Sequence, residues 1–266
     1  MLKIHVCRAW RNQLRAVVLL AVPASVLVLG GSIFGPVGIS VALVLVVVFG
    51  GYAWVRGVAV AVRAMHAYPV GEAEQPELCR IVRDVTTRSR VPMPRVYVSP
   101  TPAVNAFAAG RHPDHAVICL TQGALDQLDV DELRSVIGHE LAHIRHRDTV
   151  PACVAVALTR VAMAIPPAGV LMAAWARLAV SESREFEADR EAARVIGEPL
   201  ALARALRKLD AAGRALVLPT EPGVVAASHL MITSPLRSTG YWRLFRSHPS
   251  TAERIARLEH LAGYRR

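Results

Sequence analysis

From Ala16 to Val55 the chain carries not one charged residue. As a helix, at about 1.5 Å per residue, such a run is roughly 60 Å long. That is too long for one crossing of a hydrocarbon core about 30 Å thick and right for two. Turn formers sit near its middle, at Gly30, Gly31 and Gly35-Pro36-Val37-Gly38. The pattern predicts two transmembrane helices, about 16–34 and 37–55, joined by a very short loop. Pro23 falls inside the first and is expected to kink it, which lipid-embedded helices tolerate. A buried hairpin in a soluble core is the competing reading, and apolar runs of this length argue against it.

Flanking charge sets the expected orientation. Lys3, Arg8, Arg11 and Arg15 precede the first span, Arg56 and Arg63 follow the second, and the connecting loop has none. The positive-inside rule places both ends and everything after residue 56 in the cytoplasm, with the loop outside, in a multi-pass protein of the cell (inner, cytoplasmic) membrane. A basic start before an apolar run also fits a cleaved signal peptide, yet the second span would still hold the remainder inside. The net charge is +10, with 31 Lys and Arg against 21 Asp and Glu. Much of that excess flanks the membrane, where anionic lipid attracts it, and no aromatic-basic pattern accompanies it. The bilayer is therefore the expected partner and nucleic acid is not. Cys7, Cys79, Cys119 and Cys153 show no CxxC spacing and read as reduced, buried thiols.

Beyond Tyr68-Pro-Val-Gly71, read as a linker, Leu78, Ile81, Val82 and Val85 recur at helical spacing until Val91-Pro-Met-Pro94. Two β-like runs follow, 95–99 and 116–120, with 105–110 between them as a third candidate strand. A helix opens at Asp129, with Glu132 three residues on as a capping box. Residues 149–180 are apolar but broken by Pro166-Pro167. Each half is short for a span of about 20 residues, so the stretch reads as a helical hairpin, packed on the domain or dipping into the interface. Helices are expected over 183–196, 199–212 and from Pro249 onward.

His139-Glu-Leu-Ala-His143 lies within the helix opened at Asp129. Residues four apart share a helix face, so both imidazoles can reach one metal ion, and Glu140 between them can address a water on that ion as general base. Gly138 sits in the helix interior, where glycine costs about 1 kcal/mol, and suggests a close backbone neighbour. A catalytic zinc needs a third protein ligand and an open position. His146 is about 10 Å along the axis from His139, and a metzincin would need His where Thr149 stands. Glu185 in Ser183-Arg-Glu-Phe-Glu-Ala-Asp189 is the better candidate. Asp189, four residues on, is placed to orient a zinc-bound imidazole, while Glu182 and Glu187 remain alternatives as ligand. His248 precedes Pro249 as a helix cap, where a neutral imidazole can polarise a carbonyl. His66, His112, His115, His229 and His260 show no partner spacing.

HELAHIRHRD, SREFEAD, NAFAAG and SHPSTAERI, in this order, resemble the HtpX branch of integral-membrane zinc metallopeptidases, relatives of the CAAX prenyl proteases. The resemblance runs from about Glu77 to Leu258. It implies a gluzincin-type endopeptidase with one zinc per chain on His139, His143 and Glu185, Glu140 as catalytic base, and Asp189 as the supporting acid. It also implies that Asn105, Ala106, Phe107 and Ala108 form an edge strand that pairs with extended substrate. His248 would act near the scissile bond, and Arg254 in substrate or structural pairing. Members of this branch degrade damaged or misassembled membrane proteins from the cytoplasmic side. The family often carries two further spans between the zinc helix and the third ligand, and here that insert is short.

The expected architecture is mostly α with a small β-sheet. A membrane anchor (1–66) bears the transmembrane hairpin, and a cytoplasmic, zincin-like zinc peptidase domain (67–266) follows. The expected function is a membrane-anchored zinc endopeptidase acting on misfolded membrane proteins. The alternative is a non-enzymatic membrane scaffold that retains the metallopeptidase shape, against which an intact Glu140 argues.

Overall fold

A computed structural model describes residues 2–176, 182–216, 218, 221–233 and 249–263. Two long helices open the chain, α1 (Leu2–Ser32) and α2 (Gly35–Ala64). The apolar run forms both, as expected, but each helix outlasts it. α1 begins well before Ala16 and runs unbroken through Pro23, and α2 continues nine residues past Val55. Packing explains the extension of α2: a Cβ at Gly57 would stand 2.5 Å from the Cys153 carbonyl oxygen. Two backbones meet there, which only glycine permits. Along their apolar lengths the helices expose large side chains, among them Leu29, Val44 and Val47. By length and composition both can cross a membrane.

Tyr68-Pro69, read as linker, pairs instead as a two-residue edge strand β1 (Tyr68–Pro69) with β2 (Arg95–Ser99). The sheet has order β1-β2-β4-β3, with β3 (Ala106–Ala109) and β4 (Val117–Thr121). β2 runs parallel to β4, and β3 antiparallel to it, Ala106 opposite Leu120. All of β3 and β4 is buried, and the run of Val, Ile, Cys and Leu in β4 suits a strand covered on both faces. One face packs on α3 (Pro76–Ser89) and α5 (Val130–His146), through Val82, Val85, Ile118, Val136 and Ile137. The other meets the end of α2 and α6 (Thr149–Ala162). A short α4 (Gln122–Gln127), capped by the Thr121 hydroxyl, is a turn of helix the sequence pattern did not reveal.

The apolar hairpin forms as α6 and α7 (Pro166–Ala176), broken where expected. α6 is buried along most of its length, against Ala16 and Leu19 of α1 as well as α2. α7 is more open, with Leu171 72% exposed. Beyond it lie α8 (Glu182–Ile196), α9 (Pro199–Ala215), α10 (Pro222–Ala227) and α11 (Thr251–Leu261). α8 lies across α5, and the reading of Gly138 needs correction here. A Cβ on Gly138 would meet Ala192 and Ile196 at 3.4 to 3.6 Å, ordinary contact, so no close backbone approach demands glycine.

Candidate metal centre

α5 starts with the capping box expected of it. Asp129 accepts from the N–H groups of Asp131 and Glu132, and Glu132 accepts from the Asp129 N–H. Its apolar face sinks into the core, and His139 and Glu140 go with it, with His143 partly buried beside them. The helix ends at Arg147, in a left-handed conformation at φ 57°. That turn carries Asp148 back beneath His143, with the Asp148 N–H donating to the His143 carbonyl at 2.9 Å.

His139 Nε2 and His143 Nε2 face each other at 3.1 Å. Glu185 on α8 closes the triangle, its carboxylate 3.6 Å from the first and 3.4 Å from the second. One donor atom from each of the three lies within 4.8 Å of the others. Glu182 is exposed and Glu187 half-buried, and neither joins the cluster. His146 is turned away, paired with Glu191 at 2.9 Å.

Each imidazole is held from behind. Asp189 lies 2.9 Å from His139 Nδ1, and Asp148 lies 3.1 Å from His143 Nδ1. With both Nδ1–H groups donated to carboxylates, both Nε2 lone pairs converge with a carboxylate, and that donor set suits zinc. Arg254, 1% exposed on α11, donates Nη2–H and Nε–H to the two oxygens of Asp189, at 2.6 and 2.8 Å. It also donates to the Ile232 carbonyl at 2.9 Å and lies 3.5 Å from Glu185. Of the two roles considered for Arg254, the geometry supplies a structural pairing.

Glu140 points to the same cleft. One of its oxygens accepts from the Ala108 N–H, and Oε1 is buried with no hydrogen-bond partner among the described residues. The cleft offers about 20 Å³ between Ala108, Glu140, His143, Glu185 and His229. That is room for about one water.

The profile of Peptidase family M48 matches residues 72–262. The chain belongs to that family. A "Protease HtpX homolog" from Kineococcus radiotolerans is 47% identical over 244 residues, covering 81% of this chain and 83% of its own. Another from Paenarthrobacter aurescens is 45% identical over 227 residues, covering 77% and 78%. A third from Paraburkholderia phytofirmans is 37% identical over 272 residues, covering 93% and 95%. The M48 chain is a metalloprotease, mostly helical with a small sheet, as the sequence resemblance implied.

In this M48 peptidase the electrostatics follow from burial and neighbours. Burial, the largest influence, pushes the His139 imidazole down to about 4, and Asp189 only partly opposes it. Burial lowers His143 too, but Glu185 and Asp148 outweigh it and hold the group up at about 9. The carboxylates of Glu185 and Asp148 thus make the site one that favours positive charge, the sign a metal cation carries. Burial, with Glu185 adding to it, pushes Glu140 up to about 7. Burial would raise Asp148 and Asp189 as well. Arg184 and His143 instead take Asp148 down to about 2, and Arg254 and His139 lower Asp189.

Three contributors escape sequence reading. Asp148 follows α5 and could have been suspected from its place one turn past His143. His229 lines the cleft, though its spacing marks nothing. Asn12 of α1 is the least legible, since 136 residues separate it from Asp148. Its amide donates to Asp148 Oδ1 at 2.7 Å and to the His146 carbonyl at 3.0 Å. His248 lies outside the described residues. β3 runs beside Glu140 as the motif suggested, but its outer edge is partly taken. Ile232 N–H donates to the Ala106 carbonyl at 3.0 Å, Phe107 bridges Met231, and the Asn105 amide donates to the Thr233 carbonyl at 2.9 Å. The Ala106 N–H is met by Asn105 Oδ1, leaving Ala108 as the outward-facing residue beside the cleft.

Proposed function

We propose that the chain is a membrane-anchored zinc endopeptidase that hydrolyses peptide bonds of damaged or misfolded membrane proteins at the cytoplasmic face. The observation that carries this reading is Glu140, whose free carboxylate oxygen is buried beside the cluster of His139, His143 and Glu185 in a cleft sized for a water. These three residues would hold one zinc per chain, which when bound would polarise the carbonyl and acidify a water. Glu140 would act as the base and acid of the cleft, accepting a proton during attack and returning it to the leaving amine, and a carboxylate lifted to about 7 suits both transfers. Asp189 and Asp148 fix the tautomer and direction of the two imidazoles. Arg254 in turn fixes Asp189.

An extended substrate aligns along β3, with Ala108 as the residue nearest the base and Asn105, Ala106 and Phe107 becoming available as the 231–233 segment gives way. His248 steadies the reacting carbonyl. Residues 1–66 serve as the anchor and 67–266 as the cytoplasmic domain. The charges flanking the two long apolar helices support that orientation.

Zinc per chain and cleavage of an unfolded test protein, measured on three variants, test the site. Glu185→Ala should lose the metal, and Glu140→Gln should keep it while turnover collapses. Glu187→Ala should change neither. Metal lost from Glu187→Ala but kept by Glu185→Ala would overturn the ligand set, and a cleaving Glu140→Gln would overturn the mechanism. For topology, a cysteine at Ser32, in a background without native cysteines, should react with an impermeant thiol reagent in intact cells. Labelling of a cysteine at exposed Thr87 instead would reverse the orientation.

A further inference from the structure

On the side of the sheet away from α5, a groove of about 530 Å³ runs between α2 and the β2 side of the sheet. One wall is apolar, made by Val55, Val58 and Val62 of α2. Three arginines line the same groove: Arg63 from the end of α2, Arg95 from β2 and Arg111 from the turn after β3. All three are exposed, and no Asp or Glu lines the groove. None of the three pairs with a carboxylate among the described residues, whereas Arg145, Arg184, Arg207 and Arg254 all do. His112 and His115 complete the rim, with Asp114 on His112 Nδ1 at 2.9 Å. Three unpaired cations brought to one groove repel one another, and an anion seated among them relieves this.

Position identifies the anion. Val55 is the last residue of the uncharged run, so the groove begins where the apolar length of α2 ends. Trp54 stands at that level, 43% exposed, with the Arg111 guanidinium 5.9 Å from its ring centroid. Indoles favour the headgroup level of a bilayer, where one side is apolar and the other wet. The apolar wall does not stop at the groove: exposed Val55, Val48, Val47 and Val44 extend it along α2. A free phosphate has no use for that wall, and an acidic peptide cannot follow it into hydrocarbon. An acyl chain can.

We propose that this groove binds an anionic phospholipid, its phosphate among Arg63, Arg95 and Arg111 and an acyl chain along the valines of α2. The site lies on the opposite face of the sheet from Glu140 and does not depend on the peptidase reading. Its test accordingly measures lipid, with neither zinc nor cleavage involved.

Full-length protein is stripped of lipid in detergent and reconstituted into nanodiscs of phosphatidylcholine with a minor share of phosphatidylglycerol. It is then re-extracted, and the phospholipids that stay bound are counted by mass spectrometry. Wild type should retain phosphatidylglycerol well above its share of the bilayer. At about 1 kcal/mol per basic residue near an anionic surface, Arg95→Gln/Arg111→Gln should lower that retention about 30-fold. Arg95→Lys/Arg111→Lys should keep most of it, and Arg80→Gln/Arg214→Gln, exposed elsewhere, should match wild type. Retention without preference for phosphatidylglycerol, or equal retention by the Gln pair, would overturn the proposal. So would displacement of the lipid by millimolar inorganic phosphate, or competition by a polyglutamate peptide stronger than by phosphatidylglycerol.

Discussion

Replacing Arg254 by Met keeps the length and bulk of a side chain at a site only 1% exposed, but removes the cation between two buried carboxylates. Asp189 then loses two charge-assisted hydrogen bonds, at 2.6 and 2.8 Å, and Glu185 loses a guanidinium 3.5 Å away. Removing one partner of a buried ion pair costs about 3–5 kcal/mol, because the remaining charge stays buried and uncompensated. For a domain of this size about 2–4 °C of melting temperature accompanies each kcal/mol, so the expected fall is about 6–20 °C. The assay is thermal unfolding in detergent of four proteins: wild type, Arg254→Met, Asp189→Leu and the double variant. The double variant should be more stable than the sum of the two losses predicts, by about 2 kcal/mol, since it buries neither orphaned charge. A loss below about 1 kcal/mol, or strictly additive variants, would refute the placement of Arg254 between these acids.

Three further outcomes are expected. Asp148→Ala should weaken zinc binding about 10–100-fold by freeing His143, and Asn12→Ala should weaken it less but measurably, in competition with a chromophoric chelator; an unchanged Asn12→Ala would show that the first helix does not support the site. Gly138→Ala should be neutral or stabilise by about 0.5–1 kcal/mol, because the added methyl meets only ordinary contacts and favours the helix; a lower melting temperature would contradict the α5–α8 spacing. Burial, with Glu140 adding to it, raises the Cys119 thiol well above its ordinary range, so a maleimide reagent should label it only after unfolding.

What could be read from the sequence followed the chemistry that local spacing encodes. The capping box at Asp129 and Glu132 announces α5, and four-residue spacing places His139 and His143 on one face. The Glu185–Asp189 pair repeats that geometry on α8. Each of these is a relation within one helix turn. What stayed hidden depends on which elements meet. Nothing near Asn12 marks it as a partner of Asp148, because that contact exists only once α1 lies along α6. Gly138 illustrates the same point from the other side, since its neighbours on α8 leave room that spacing alone could not reveal. Tyr68-Pro69 carries the composition of a linker and becomes a strand only because β2 offers it an edge. At β3, the residues suggested a strand and the family resemblance an edge open to substrate, and the 231–233 segment, distant in sequence, covers part of it.

The continuity of α2 has a mechanical consequence. Its 30 residues form a rod about 45 Å long, against hydrocarbon about 30 Å thick. The rod is clamped to the domain at Gly57 against the Cys153 backbone. A catalytic domain on a flexible tether would sweep a hemisphere of depths and orientations. With α2 spanning the bilayer as proposed, a domain fused to such a rod would hold its cleft at a set height and angle above the lipid, and reach would become a selection rule. On the proposed anchoring, polypeptides whose slack segments come to that height would be presented to Glu140, and those whose loops stay short or lie deeper would be passed over.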